Sequence, residues 1–217
     1  IGIAGLEDFV RAGGVAALGQ NDGAALEAAR TRRSVEYAAV RRVKDAALRL
    51  AFDRFFTGEW HARTARAADF AAYIERERAW LDDYALFAAL SENLRLPRWR
   101  DWPEPLRNRD RRALDGAKHE LAADVLRHQY IQWLAESQWR QARAAAAGAG
   151  VAIVGGFTFA VGADSVDVWT RMPEFALDVS AGAPPDAFSE TGQDWNLPMY
   201  RWDVIAAGGY AWLRQRA

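Results

Sequence analysis

Cysteine is absent from this 217-residue sequence. Its absence removes disulfides, thiolate metal ligands and a cysteine nucleophile together. It suits a reducing compartment, and a cytoplasmic location is expected. Charge of one sign is also lacking. Lys plus Arg number 28 against 29 Asp plus Glu, a net charge of −1, so no global field gathers nucleic acid or an anionic membrane. No apolar run approaches the roughly 20 residues that span a bilayer, and no basic, apolar, small-residue signal opens the chain. Methionine occurs only at Met172 and Met199, while the first residue is Ile1. A processed N-terminus or a piece of a longer chain is therefore expected. Neither GxGxxG nor GxxxxGK[ST] occurs, so Gly155-Gly156 reads as a strand-end turn rather than a phosphate loop.

What is present points to a folded helical protein. The hydrophobic fraction is 51%, much of it alanine, with ten Trp and ten Phe as the bulky core formers. A disordered chain carries few aromatics. A short helix is expected near Leu6 to Val10, then a Gly-Gly break and an Ala-rich stretch. Tyr37, Val40, Val43, Ala47 and Leu50 recur at three and four, which makes Val35 to Phe56 an amphipathic helix ending at Thr57-Gly58. Two further segments run from Ala65 to Arg78 and from Ala79 to Leu90. Three prolines with Trp99 and Trp102 make residues 93 to 110 a connection pinned by aromatics. A long helix is expected over Leu114 to Ala147. Val151 to Val154 is β-branched and closed by two glycines, which predicts a buried strand. Asp164 is placed to cap a helix that follows, with Asp167 in its first turn. The last eight residues, from Tyr210, read as helix. No internal repeat is present.

The chemistry-bearing patterns are few. Asp124 and His128, at i and i+4, are half of a metal site without a second half, so a surface ion pair is the plainer reading. His61 and His119 stand alone. Arg107, Arg109, Arg111 and Arg112 read as a solvated face. No Ser-His-Asp set can be assembled. The strongest candidate is the loop of about twenty residues after Trp169, where Asp186, Ser189, Gln193, Trp195 and Tyr200 fall within fifteen residues. A sugar offers an apolar ring face edged by hydroxyls. An aromatic plate with carboxylate and amide partners matches it. The same composition also describes a self-packed Ω-loop whose polar groups satisfy their own backbone.

Three segments together resemble the amylomaltases, the 4-α-glucanotransferase or disproportionating-enzyme family. They are Trp80-Leu-Asp-Asp-Tyr-Ala-Leu-Phe87, then Tyr130-Ile-Gln-Trp-Leu-Ala135 with Gln138-Trp139, then Asp164-Ser-Val-Asp-Val-Trp169 continuing through Pro184-Pro-Asp-Ala-Phe-Ser-Glu-Thr-Gly-Gln-Asp-Trp195 to Pro198-Met-Tyr-Arg-Trp202. The likeness runs from about Val35 to the end. It implies a mostly α chain with a few short strands, a partial α/β TIM barrel of the glucanotransferase type carrying a helical insertion. On that map residues 1–147 are mainly the inserted helical subdomain, and 148–217 supply a barrel strand, a helix and the glucan-binding loop. Asp186, Gln193 and Trp195 match positions that contact an α-1,4-glucan or malto-oligosaccharide, with Ser189 and Tyr200 in the same motif. No cofactor or metal is implied.

The family reaction is retaining transglycosylation by an Asp nucleophile, a Glu acid–base and a second stabilising Asp. The resemblance places all three beyond Ala217, the first in an Arg-x-Asp-His context, so this chain is expected to be inactive alone and to self-associate through exposed half-barrel surface. Two departures stand out. The family's Gly-Asp-Leu-Pro is Gly155-Gly156-Phe157-Thr158 here, and its Trp-Gly-x-Pro is Trp195-Asn196-Leu197-Pro198. If that family glycine has positive φ, Asn is its least costly substitute. A glucan-binding pseudoenzyme and a helical interaction module remain alternative readings.

Overall fold

The structure, a computed structural model, describes residues 1–158 and 160–217. Its helices are α1 (Glu7–Arg11), α2 (Gln20–Thr31), α3 (Tyr37–Phe55), α4 (Ala65–Leu94), α5 (Glu104–Arg107), α6 (Arg111–Glu120), α7 (Ala122–Gly148), α8 (Val166–Thr170), α9 (Trp202–Ala207) and α10 (Ala211–Arg216). Strands β1 (Phe175–Ala183) and β2 (Gln193–Tyr200) form one antiparallel pair. The chain is thus mostly helical with a small sheet, and a barrel is not seen among the described residues. No helix among them is long and apolar enough to cross a membrane. Contacts divide the chain into two compact units, Ile1–Asp82 with Ala123–Ala152, and Asp83–Ala122 with Ile153–Ala217.

In the first unit, α3 buries Val43, Ala47, Leu48, Ala51, Phe52 and Phe55. This is the three-and-four spacing of an amphipathic helix. The face lies slightly around the helix from the expected one: Tyr37 is exposed and Leu50 only half-buried. Helical winding does not stop at Thr57-Gly58 but widens into a π-turn over Phe56–Trp60. The core is aromatic. Phe55, Phe70, Tyr130 and Trp133 sit with ring centroids 4.9–6.1 Å apart, and Phe52 flanks Tyr130. Beside it lies a buried polar cluster. Arg66 forks onto both oxygens of Asp8 at 2.8 and 2.7 Å, and the Tyr130 hydroxyl donates to Asp8 at 2.6 Å. Burial by itself would raise the Asp8 carboxyl, yet Arg66 and Tyr130 together hold it below the usual carboxylate range. Burial, reinforced by Asp8, pushes the Tyr130 phenol up. These bonds anchor α1 to α4 and α7 by charge-assisted geometry rather than by burying a large side chain.

The two segments expected between Ala65 and Leu90 are one continuous helix, α4, and the single helix expected over Leu114 to Ala147 is two. Leu121, at φ −103°, ψ 20°, separates α6 from α7. No glycine or proline marks that break, so nothing in the local sequence announces it. Asp124 pairs with Arg127 at 3.0 Å, and His128 is buried. Among the described residues no group of three His, Asp or Glu is placed to hold a metal.

The second unit closes on Phe87, Trp102 and Trp169, whose centroids lie 5.1–5.5 Å apart. Buried indoles need acceptors for their N–H groups, and three here have one. Trp99 donates to Ala163 O at 3.0 Å, Trp102 to Leu96 O at 3.1 Å, and Trp169 to Leu106 O at 3.1 Å. Arg109 leaves the solvated face expected of its cluster. Its guanidinium lies 4.2 Å from the Trp169 ring centroid and bonds Asp83 at 2.8 Å. Ser165, not Asp164, caps α8 by accepting from Val168 N–H. Asp167 keeps its first-turn position and pairs with Arg216 at 3.0 Å.

The strand expected at Val151 to Val154 is not formed. Val151, Ile153 and Val154 are exposed, and no described strand pairs with them. A β-branched run becomes a strand only when neighbours complete its hydrogen-bond ladder.

Candidate functional site

The stretch read from sequence as an irregular loop is a β-hairpin. Its register runs Phe175↔Tyr200 and Ala176↔Met199, then Ser180↔Pro198 and Ala181↔Leu197, then Gly182↔Asp194 and Ala183↔Gln193. Two shifts interrupt it. Leu177, Asp178 and Val179 are extra on β1, and Trp195 and Asn196 are extra on β2. Bulges bend a strand and re-aim its side chains. Period-two alternation is lost across both shifts and Pro198 sits within β2, which explains why the strands are hard to see in the sequence.

The bulge on β2 defines the site. Asn196 takes φ +50°, the left-handed region where Asn costs least among residues with a side chain. The bulge leaves Trp195 52% exposed. Its indole N–H donates to Gln193 Oε1 at 3.0 Å, which fixes the ring and the amide together. Ser180 and Asp194, which the sequence reading does not single out, brace the bulge across the strands. The Ser180 hydroxyl donates to Asp194 Oδ1 and accepts from Leu197 N–H at 3.2 Å, while Asp194 Oδ1 also accepts from Asn196 N–H at 2.8 Å. The Ser180 bond first, and the Asn196 amide second, hold the Asp194 carboxyl below its usual range. The Asp194-x-Asn196 spacing, an acidic side chain folding onto the backbone two residues on, is the signal that could have found it.

The connection between the strands is locked by its own polar groups. Asp186 Oδ1 accepts from Phe188 N–H at 2.9 Å and Ser189 N–H at 2.8 Å, and Ser189 Oγ donates to Gly192 O at 2.7 Å. Two glycines make the geometry possible. A Cβ at Gly182 would lie 2.1 Å from Gln193 O, and one at Gly192, where φ is +74°, would lie 2.6 Å from Ala183 O. Phe188 projects from the turn, 96% exposed.

The five candidate residues therefore fall into two pairs and one residue apart. Gln193 and Trp195 are bonded neighbours, and Asp186 with Ser189 shapes the turn that precedes them. Tyr200 stands apart at the base of the hairpin, seven residues along β2 from Gln193, roughly 20 Å at ~3.3 Å per residue. It packs 5.0 Å from both Phe175 and Trp202, and burial pushes its phenol up. At the other departure from the family pattern, Gly156 lines a cavity of about 470 Å³ with Gly155, Phe157, Thr158, Arg216 and Ala217. A Cβ there meets nothing within 4 Å, so the lost carboxylate is not excluded by crowding.

The hairpin thus presents a half-exposed indole bonded to an amide. Comparison with known proteins gives it a family. The family described as 4-alpha-glucanotransferase matches residues 7–217, and the chain belongs to it. The 4-alpha-glucanotransferase of Thermus thermophilus is 47% identical over 154 residues, 67% of this chain and 31% of that protein. That of Synechocystis sp. is 35% identical over 193 residues, 86% of this chain and 38% of that protein. Among solved structures, the amylomaltase from Streptococcus agalactiae in complex with acarbose superposes with a TM-score of 0.75 at 29% identity, over 84% of this chain and 37% of that one. The chain thus spans about a third of the length of the relatives it matches.

Proposed function

We propose that this chain is part of a 4-α-glucanotransferase that moves α-1,4-glucan segments between malto-oligosaccharides by a retaining mechanism, and that its hairpin holds the glucan. The observation that carries the reading is the bulge that presents Trp195 beside Gln193. An indole face offers an apolar plate to a sugar ring, and the fixed amide offers a donor and acceptor at its edge. Pre-organisation matters because polar groups already held in place lose little freedom on binding. Asp186 and Ser189 set the turn, and Tyr200 steadies the hairpin base. Family membership supplies the substrate class, and the solved amylomaltase in complex with acarbose supports it.

In this reading the helices up to residue 147 form the inserted subdomain of the parent enzyme. Residues 148–217 contribute to its barrel, and Val151 to Val154 gains strand partners there. The catalytic carboxylates belong to the remainder of the parent, which acts in the cytoplasm without a cofactor. The isolated chain then holds glucan and does not transfer it, and its exposed apolar residues favour self-association.

Two measurements test this. Maltoheptaose titrated into the chain quenches or shifts Trp fluorescence, and Trp195→Ala removes the part of that response that comes from the hairpin. Absence of any response at millimolar sugar refutes the binding role. Maltotriose incubated with the chain alone yields no glucose and no longer dextrins, and their appearance overturns the assignment of catalysis to the rest of the enzyme. Gly156 favours a second reading, a glucan binder without transferase activity. It predicts that a full-length enzyme carrying Gly156 stays inactive until Gly156→Asp is introduced.

A further inference from the structure

The first unit carries a second place where exposed indoles meet fixed polar groups. Tyr73, Glu77 and Trp80 recur at i, i+4 and i+7 on α4. Gln132, Glu136 and Trp139 recur at i, i+4 and i+7 on α7. Each spacing puts three side chains on one helix face. The two faces line a concavity of about 330 Å³. Tyr73 is buried at the base of the concavity, but burial does not account for the two indoles. The core of this unit is already filled by Phe55, Phe70, Tyr130 and Trp133, whereas Trp80 is 40% and Trp139 53% exposed. Large aromatic residues left at the surface of a concave patch mark recognition surfaces.

The polar groups around them are held in place. The Trp80 indole N–H donates to Glu77 Oε2 at 2.8 Å. Arg76 binds Glu77 at 2.8 Å and reaches across to α7, where it forks onto both oxygens of Glu136 at 2.9 and 2.7 Å. Its guanidinium also lies 5.2 Å from the Tyr73 ring centroid. The Trp80 bond, and after it Arg76, hold the Glu77 carboxyl below its usual range against the effect of burial. Glu77 is therefore an ionised acceptor at neutral pH. Both rows sit on long helices, so the spacing between them is set by scaffold rather than by a loop.

We propose that this groove binds a second α-glucan segment, stacked on Trp80 and Trp139 with its hydroxyls bonded to Glu77, Glu136 and Gln132. The composition is the one a pyranose requires: apolar plates flanked by carboxylates and an amide. The charges cancel, Arg76 and Arg140 against Glu77 and Glu136, which leaves no net field for an anionic ligand and suits a neutral polyol. Identifying the glucan as the ligand rests on the family reading of the hairpin, whereas the groove does not.

The test labels the 217-residue chain with 5-fluorotryptophan and follows maltoheptaose by fluorine NMR. Resonances are assigned from Trp80→Phe, Trp139→Phe and Trp195→Phe. The expected result is that the Trp80 and Trp139 signals shift with sugar and go on shifting in Trp195→Ala. Trp139→Ala, checked for an unchanged helical spectrum, should lose the Trp80 shift and leave the Trp195 shift intact. If the Trp195 signal moves while Trp80 and Trp139 stay still at millimolar sugar, the groove proposal is overturned and the hairpin reading survives. If the groove signals move and Trp195 does not, the groove stands and the hairpin reading falls. Silence at all three sinks both. Self-association that Trp139→Ala abolishes and sugar leaves unchanged would make the groove an interface between copies and would also overturn the proposal.

Discussion

The core of the first unit and the hairpin of the second use their aromatic residues in opposite ways. In the first, Phe55, Phe70, Tyr130 and Trp133 interlock in the core beside a buried Asp8–Arg66–Tyr130 cluster. In the second, Trp102 and Trp169 close a comparable core, but the hairpin turns Trp195 and Phe188 outward. The difference lies in what holds each ring. Core rings are fixed by neighbours on every side, as close packing requires. Trp195 is fixed by a hydrogen bond to Gln193 and by a bulge braced through Ser180 and Asp194. A ring held by polar bonds keeps a free face, and a free face is what a ligand needs.

The largest effect expected is on the first unit. Arg66→Ala leaves the Asp8 charge buried without its partner, and such a loss costs about 3–5 kcal/mol. Urea unfolding of the chain should show it, with loosening of α1 as the first change in hydrogen exchange. A loss under ~1 kcal/mol would mean that the cluster behaves as a surface ion pair. Tyr130→Phe is milder, about 1–3 kcal/mol, because one bond to a buried charge is removed while the ring stays.

The same cluster sets a pH dependence. Asp8 has its pKa lowered on folding, so its stabilisation is complete above the unfolded value near ~4 and fades as pH falls through the lower folded value. Tyr130 has its pKa raised, so its stabilisation is complete below ~10 and fades as pH climbs towards the folded value. The melting temperature should fall at both ends, and Asp8→Asn should flatten the acid limb.

The hairpin should respond differently. Gly182→Val drives side-chain atoms into the Gln193 carbonyl. It should abolish the maltoheptaose response of Trp195 while leaving helical circular dichroism near its starting value. A retained response would show that the register does not position the site. The smallest effect expected is at the bulge, where Asn196→Ala should cost about 1 kcal/mol for the left-handed backbone. It should weaken sugar binding more than it weakens folding. Asn196→Gly, the family's residue, should restore both.

Much of this molecule was legible in its residues. Periodicity located α3, the helical character of α4 and α7, and the aromatic pinning around Trp99 and Trp102, because burying one face imposes a repeat on any helix. The motif from Pro184 to Trp202 marked the family. Other features were not legible for identifiable reasons. The break at Leu121 carries no glycine or proline. The pairing of Asp8 with Arg66 and Tyr130 joins residues 58 and 122 positions apart, and no local pattern records a contact across that distance. The Val151 to Val154 run has strand propensity but no partner among the described residues, and propensity without a ladder does not make a strand.

The sequence by itself determined the helical character and the family, since composition, period and motif are local properties. Only the tertiary structure decided that Asp186, Gln193 and Trp195 stand on a bulged hairpin rather than in an irregular loop, and that Tyr200 lies at its base. Strand pairing and register are set by hydrogen bonds between residues far apart in the chain. Two register shifts hid the alternation that would otherwise have announced them.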